Sequence, residues 1–263
     1  MHTRSWRKCF LATLALILVN SIAWAQDQGR EFHWKGKLVP ENVVEIKDIN
    51  GNITAEAATG DEVEVTAEKS GPRADEVKIK MVQRSDGVMF CAILPGMKDN
   101  DQCDQNSHWN FTNHNGETKV DFTVRVPENI RFSGQNVNGN VTAKNMGRVV
   151  HASSVNGRVR VSTKSWAEVS SVNGDVEAHM GRADWTGTLS VETVNGSIEL
   201  ELPGDISTDV AFKSVNGELK SDFALTVQGS LSGHAVKGRI GNGGRELKIE
   251  TVNGSVRLER NSL

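Results

Sequence analysis

Cys91 and Cys103 stand on either side of a polar stretch that holds Pro95, Gly96 and the run Lys98-Asp99-Asn100-Asp101. Two chemistries suit such a group. Oxidation of the two thiols would close a loop, which in the chain-entropy description stabilises by about 3 kcal/mol at this separation. A metal site would instead join the thiolates to Asp99, Asp101 and Asp104, but these lack the regular ligand spacing of zinc and calcium sites. A second group is carboxylic: Asp175, Glu177, Glu199, Asp205 and Asp209 would supply the pair that glycoside cleavage needs. Trp166 and Trp185 offer indole faces suited to stacking on sugar rings, or to closing an apolar column at a corner.

Beyond these groups little chemistry is written in the chain. His33, His108, His114, His151, His179 and His234 are scattered. There is no His-Glu-x-x-His, no Gly-x-Ser-x-Gly and no phosphate loop. Gly241-Asn242-Gly243-Gly244 fails the dinucleotide pattern because Glu246 stands where its last glycine belongs. No cofactor, metal or catalytic residue is therefore expected. The formal charge of −3 excludes the basic stripe of a nucleic-acid partner.

Residues 1–25 have the three parts of a secretory leader: Arg4, Arg7 and Lys8, an apolar run from Phe10 to Val19, and the small-x-small site Ala23-Trp24-Ala25. Cleavage is expected before Gln26, which removes three basic residues and Cys9 and takes the formal charge from −3 to −6. No transmembrane segment is expected in the mature chain, because no later segment reaches the roughly 20 apolar residues of a spanning helix. In an exported chain the even pair Cys91 and Cys103 reads as a disulfide.

The elements that position these groups are announced by a repeat. Asn-Gly or its near equivalent recurs as Asn50-Gly51, Asn138-Gly139, Asn156-Gly157, Asn173-Gly174, Asn195-Gly196, Asn216-Gly217, Lys237-Gly238 and Asn253-Gly254, mostly after valine. From the second copy the spacings are 18, 17, 22, 21, 21 and 16 residues. Counting each Asn as zero, positions −6, −4, −1, +3 and +5 are mostly apolar, as in Leu189, Val191, Val194, Ile198 and Leu200. Apolar residues two apart mean strands with one buried face on both sides of the Asn-Gly. A corner there calls for positive φ, which glycine adopts freely and asparagine tolerates.

Asn-Gly between alternating strands also signals hairpins. A period near 20 residues with copied inward positions favours stacked coils instead. The expected fold is a single-domain, all-β solenoid, β-helix-like, with coils of about 20 residues turning at Asn-Gly corners. Arg158 and Arg160 would then lie beside Asp175 and Glu177, and the Ser/Thr at position −2 would form a hydroxyl ladder along one edge. Residues 26–130 read as an N-terminal β region with a disulfide loop, continuous with the Val-Asn-Gly solenoid of residues 131–263. Its polar insertion from Leu94 to Glu117 suits a cap or a binding loop.

The Val-Asn-Gly units, the Phe122-Thr123-Val124-Arg125-Val126-Pro127 segment and the copy Asn195-Gly196-Ser197-Ile198-Glu199-Leu200-Glu201-Leu202-Pro203 resemble the bacterial "putative adhesin" domain family. That family consists of exported or envelope proteins, mostly uncharacterised. The resemblance runs from about residue 40 to the end. It implies a β-solenoid and brings no catalytic or ligand residue with it. The chain ends ten residues after Asn253, so surface display through a translocator of its own is not expected. The function expected is that of a non-catalytic cell-envelope protein, periplasmic or extracellular, with an adhesin-like or scaffold role toward an envelope glycan or envelope protein. The alternatives are a polysaccharide-active β-helix enzyme and an envelope-stress sensing partner of a membrane signalling protein.

Overall fold

The computed structural model describes residues 24–97, 103, 117–227 and 235–261. The expected leader lies outside the described residues as far as residue 23, while Trp24 and Ala25 open the edge strand Trp24–Gln28. Among the described residues, 22 strands form two sheets of 11, and the one helical segment is the 3-10 turn Ala74–Glu76. No described helix is long and apolar enough to cross a membrane.

The chain is a β-solenoid. Each of seven coils is a strand in one sheet, an Asn-Gly corner and a strand in the other. The coils are Val43–Lys47 with Ile53–Ala57 at Asn50, Arg131–Asn138 with Val141–Met146 at Asn138, and Val150–Asn156 with Val159–Thr163 at Asn156. Next come Ala167–Asn173 with Val176–Met180 at Asn173, and Thr188–Glu192 with Ile198–Leu202 at Asn195. The last two are Thr208–Lys213 with Leu219–Ser221 at Asn216, and Glu246–Glu250 with Val256–Arg260 at Asn253.

Neighbouring coils pair in parallel and in register, so each repeat position becomes a column. At +3, Ile53, Val141, Val159, Val176, Ile198 and Val256 follow one another and all are buried. With the −6, −4 and +5 columns they form one continuous core between the sheets. Burial of each such side chain contributes about 1.5–3 kcal/mol, and a single coil, with no neighbour on either side, could not retain it.

Stacking order departs from chain order at two places. The Asn50 coil pairs directly with the Asn138 coil, so residues 58–130 form an excursion that leaves the stack and returns. At the other end the chain skips a place: the Asn253 coil lies between the Asn195 and Asn216 coils in both sheets. The strand Ala235–Ile240 makes that return possible by running antiparallel to Thr208–Lys213. Here the expectation of a corner at Lys237-Gly238 is corrected. Gly238 lies mid-strand opposite Val210, and Lys237 stands where a ladder asparagine would be.

At the N-terminal end, Gly87–Ile93 and Lys119–Val126 pair in parallel with the Asn50 coil and make an eighth, incomplete turn. The insertion that begins at Leu94 takes the place of its Asn-Gly corner. Residues 98–102 and 104–116, with His108 and His114, lie outside the described residues. Antiparallel strands then close this end: Val63–Ser70, Glu31–Gly36 and Trp24–Gln28 on one sheet, Lys78–Arg84 on the other.

Candidate functional site

The corners stack as tightly as the strands. A Cβ on Gly157 would lie 2.0 Å from the Gly139 carbonyl oxygen, one on Gly174 2.0 Å from that of Gly157, and one on Gly196 2.1 Å from that of Gly174. Gly254 and Gly217 continue the column against Gly196 and Gly254 at 1.9 and 1.8 Å. Positive φ, the expected reason for Asn-Gly, applies only at Gly51 (137°) and Gly139 (145°), and no corner asparagine has it. Glycine is required along this column because backbone approaches backbone too closely for any side chain.

The asparagines have a different task. At five corners Nδ2 donates to Oδ1 of the corner asparagine in the adjoining coil: Asn156 to Asn138 at 2.9 Å, Asn173 to Asn156 at 2.9 Å, and Asn195 to Asn173 at 2.8 Å. Asn253 to Asn195 and Asn216 to Asn253 complete the ladder at 2.8 Å each. Asn50, at the closed end, donates to the Thr118 carbonyl at 2.7 Å.

Two positions before five of the seven asparagines lies a buried side chain that donates to a glycine carbonyl of the adjoining coil, Asn136 to that of Gly51 at 2.6 Å among them. Ser154, Ser171 and Thr193 donate to the carbonyls of Gly139, Gly157 and Gly174 at 2.9 Å, and Thr251 to that of Gly196 at 3.1 Å. The expected hydroxyl ladder thus runs inside the corner rather than along an exposed edge. Asp48 takes this position in the Asn50 coil, fully buried, with neither carboxyl oxygen in good hydrogen-bond geometry. Burial pushes its pKa up to about 8, with the nearby Asp121 charge adding to the rise and the Ile49 and Asn50 amides opposing it.

Four of the −1 valines face outward, whereas Val137 in the Asn138 coil is buried. Val172, Val194, Val252 and Val215 are 40%, 39%, 38% and 52% exposed and stand in a row along the stack. Side chains alternate along a strand, so an inward −2 forces −1 outward. That parity is the signal for this ridge in the sequence. Between the ridge and the outer face of the sheet runs a groove of about 520 Å³, floored by Ser171, Thr193 and Thr251 and edged by Ser153, Ser170, Glu192, Lys213 and Glu250. It continues, through Ser153, Ser170 and Glu192, into a shallower trough of about 390 Å³ beside His151 and Glu168, which bond at 3.1 Å.

The two tryptophans part company. Trp185 is 2% exposed, belongs to the core and donates its indole N–H to the Glu246 carbonyl at 3.0 Å, with Arg245 over the ring. As a sugar platform it is corrected: its apolar area is spent inside the stack. Trp166 is half-buried, and its ring meets His151 edge to face, 6.0 Å between centroids, next to the trough.

Three of the five candidate carboxylates, Asp175, Glu177 and Asp209, are already engaged. Asp175 accepts the Ser197 amide and the Arg158 guanidinium, and both hold its pKa below the usual range. Partial burial opposes ionisation of Glu177, but Arg160 at 2.7 Å and His179 outweigh it and lower its pKa too. Arg239 and the Gly244 amide do the same for Asp209. The cross-coil pairs Arg158–Asp175 and Arg160–Glu177 are those the repeat predicted. A general acid for glycoside cleavage needs a raised pKa, and these three carboxyls are lowered. Among the described residues no group of three or more His, Cys, Asp or Glu could hold a metal ion.

Cys91 and Cys103 meet as buried thiols hydrogen-bonded to one another, packed with Met89 and Ile93 on the outer face of the closed end. The Cys103 contact and burial push the Cys91 thiol well up, so it stays protonated. The expected partners are therefore adjacent, with the sulphurs unbonded. Nearby Glu45, also buried, is ion-paired with Arg84 and accepts from Gln135 at 3.2 Å.

Among solved structures, the chain is similar to a "putative cell adhesion protein" from Clostridium sporogenes ATCC 15579 (13% identity, 87% of this chain and 99% of that one, TM-score 0.47). It is also similar to a "putative adhesin" from Bacteroides fragilis NCTC 9343 (12%, 89% and 98%, TM-score 0.36). No curated protein matches the chain. The profile of the Toastrack DUF4097 family matches residues 41–259, which takes in all seven Asn-Gly coils, and the chain belongs to that family.

Proposed function

We propose that the protein is a non-catalytic, exported cell-envelope protein that binds or scaffolds an envelope glycan or envelope protein through the repetitive face of its solenoid. The observation that carries this reading is the continuous groove beside the valine ridge, where apolar Val172, Val194 and Val252 alternate with hydroxyls and carboxylates coil after coil. Such a surface makes many similar contacts spread over the stack, and it suits an extended partner better than a small substrate held at convergent groups. The leader of residues 1–25, the division into residues 26–130 and 131–263, and an oxidised Cys91–Cys103 pair belong to the same reading, since export supplies the oxidising compartment.

Incubation of purified residues 26–263 with a panel of envelope and extracellular polysaccharides tests it. Retention on a polymer without release of new reducing ends supports the binding reading. Release of reducing ends overturns it in favour of the polysaccharide-active alternative. Absence of both turns the search to envelope proteins captured by cross-linking, a signalling partner among them.

A further inference from the structure

Every corner of the ladder is an Asn-Gly pair, the dipeptide in which the backbone nitrogen can most easily reach the preceding side-chain amide, because glycine carries no Cβ to obstruct it. At six of the seven corners that nitrogen is tied down. The amides of Gly51, Gly139, Gly157, Gly174, Gly196 and Gly254 donate to the asparagine carbonyl of the adjoining coil at 3.0–3.1 Å. At five corners the asparagine Oδ1 is held as well, by Nδ2 of the next asparagine.

The Asn216 corner is the end of the stack. Leu219–Ser221 is an edge strand, and no coil adjoins it on the outer side among the described residues. No described residue accepts the Gly217 N–H or donates to Asn216 Oδ1. Asn216 is exposed, but so are Asn138, Asn156, Asn173, Asn195 and Asn253. Hydrogen bonding, not access to water, distinguishes it.

We propose that Asn216 is a deamidation site of the folded protein and that the ladder protects the other corners. The Gly217 amide nitrogen bonds to Asn216 Cγ and gives up its proton, while the Cγ–Nδ2 bond breaks and Nδ2 leaves as ammonia. Water then opens the five-membered imide at either carbonyl and leaves aspartate or isoaspartate, with no oxidant or reductant involved. Either product lacks the Nδ2 donor that now reaches Asn253 Oδ1, so the last rung is lost. Isoaspartate also adds a carbon to the main chain at the corner, and the strand Leu219–Ser221 then falls out of register with Val256–Arg260. Chemical ageing therefore acts on the open end of the stack.

The test is incubation of the purified full chain in mildly alkaline buffer made with heavy-oxygen water, folded and in urea, followed by peptide mapping. In the folded chain Asn216 should take up label about tenfold faster than Asn138, Asn156, Asn173, Asn195 or Asn253, reflecting the hydrogen bonds that must open at those corners. In urea all of them should react alike, since each has the same Asn-Gly neighbourhood. Labelling of folded Asn216 as slow as that of the other corners overturns the proposal. Equal labelling of all corners in the folded chain overturns the protective role of the ladder. Asn242-Gly243, which is not a ladder corner, serves only to show that the conditions are reactive.

Discussion

Asn253 donates its side-chain amide to Asn195 at 2.8 Å across 58 residues of chain, and on its other side accepts the amide of Asn216 at 2.8 Å. The last coil in sequence is thus an interior coil in space. Its strands have neighbours on both sides in both sheets, whereas the coil that precedes it in the chain forms the end of the stack.

Removal of residues 246–263 should therefore open a gap inside the stack instead of fraying an end. Thermal unfolding followed by circular dichroism should show loss of the cooperative transition. Removal of residues 24–26, the outer part of an edge strand with one neighbour, which keeps Asp27 as the partner of buried Lys69, should leave that transition within a few degrees. A truncation at residue 245 that melts like the full chain would contradict the inserted position of the Asn253 coil.

The glycine column should be intolerant of the smallest side chain. In Gly174→Ala the new Cβ meets the Gly157 carbonyl at 2.0 Å, and the coils must part, at a cost of about 3 kcal/mol or more. Gly60→Ala, where nothing lies within 4 Å and φ is not positive, should change stability by less than about 0.5 kcal/mol. Urea unfolding of the two variants measures both.

Side-chain alternation leading into one corner can be tested with two valines three residues apart. Val191→Ala empties part of the core and should cost about 1–3 kcal/mol, because Val191 is wholly buried. Val194→Ala, on the exposed ridge, should cost about 0.5 kcal/mol or less. Val194→Lys should leave folding intact and abolish retention of any polymer that binds the groove.

Asp48 makes stability depend on pH in an unusual direction. Its folded pKa, about 8, is above the 3.8 of an unperturbed aspartate, so the folded state holds a proton that the unfolded state has released. The contribution is complete below pH 4, declines as pH rises through the interval to about 8, and is flat above it. Asp48→Asn, which supplies a neutral donor at a position where Ser154 and Thr193 already donate, should flatten this decline and stabilise by about 2 kcal/mol or more at pH 8. Equal pH slopes for the two proteins between pH 4 and 8 would refute the assignment.

Cys91 and Cys103 should form a disulfide in protein recovered from the cell envelope, giving no alkylation of either thiol without prior reduction. Cys103→Ser should then lower stability by about 2–3 kcal/mol relative to the oxidised chain. Two alkylatable thiols in freshly recovered protein would show that the pair stays reduced.

The sequence alone determined the solenoid, because a period of two on either side of an Asn-Gly that recurs every 16–22 residues has few other solutions. It also determined the inward columns, and with them the neighbours Arg158–Asp175 and Arg160–Glu177. The order of the coils was not legible. Seven corners with nearly the same residues stack in any order equally well as far as local pattern is concerned, and only the antiparallel return of Ala235–Ile240 selects the place of the Asn253 coil. The valine ridge was half legible: the valines were visible as a repeated position, but their outward direction follows from the buried Ser154, Ser171 and Thr193 donating to glycine carbonyls of the adjoining coil. Those bonds join residues 14–19 apart in sequence, and such contacts exist only once the coils are stacked.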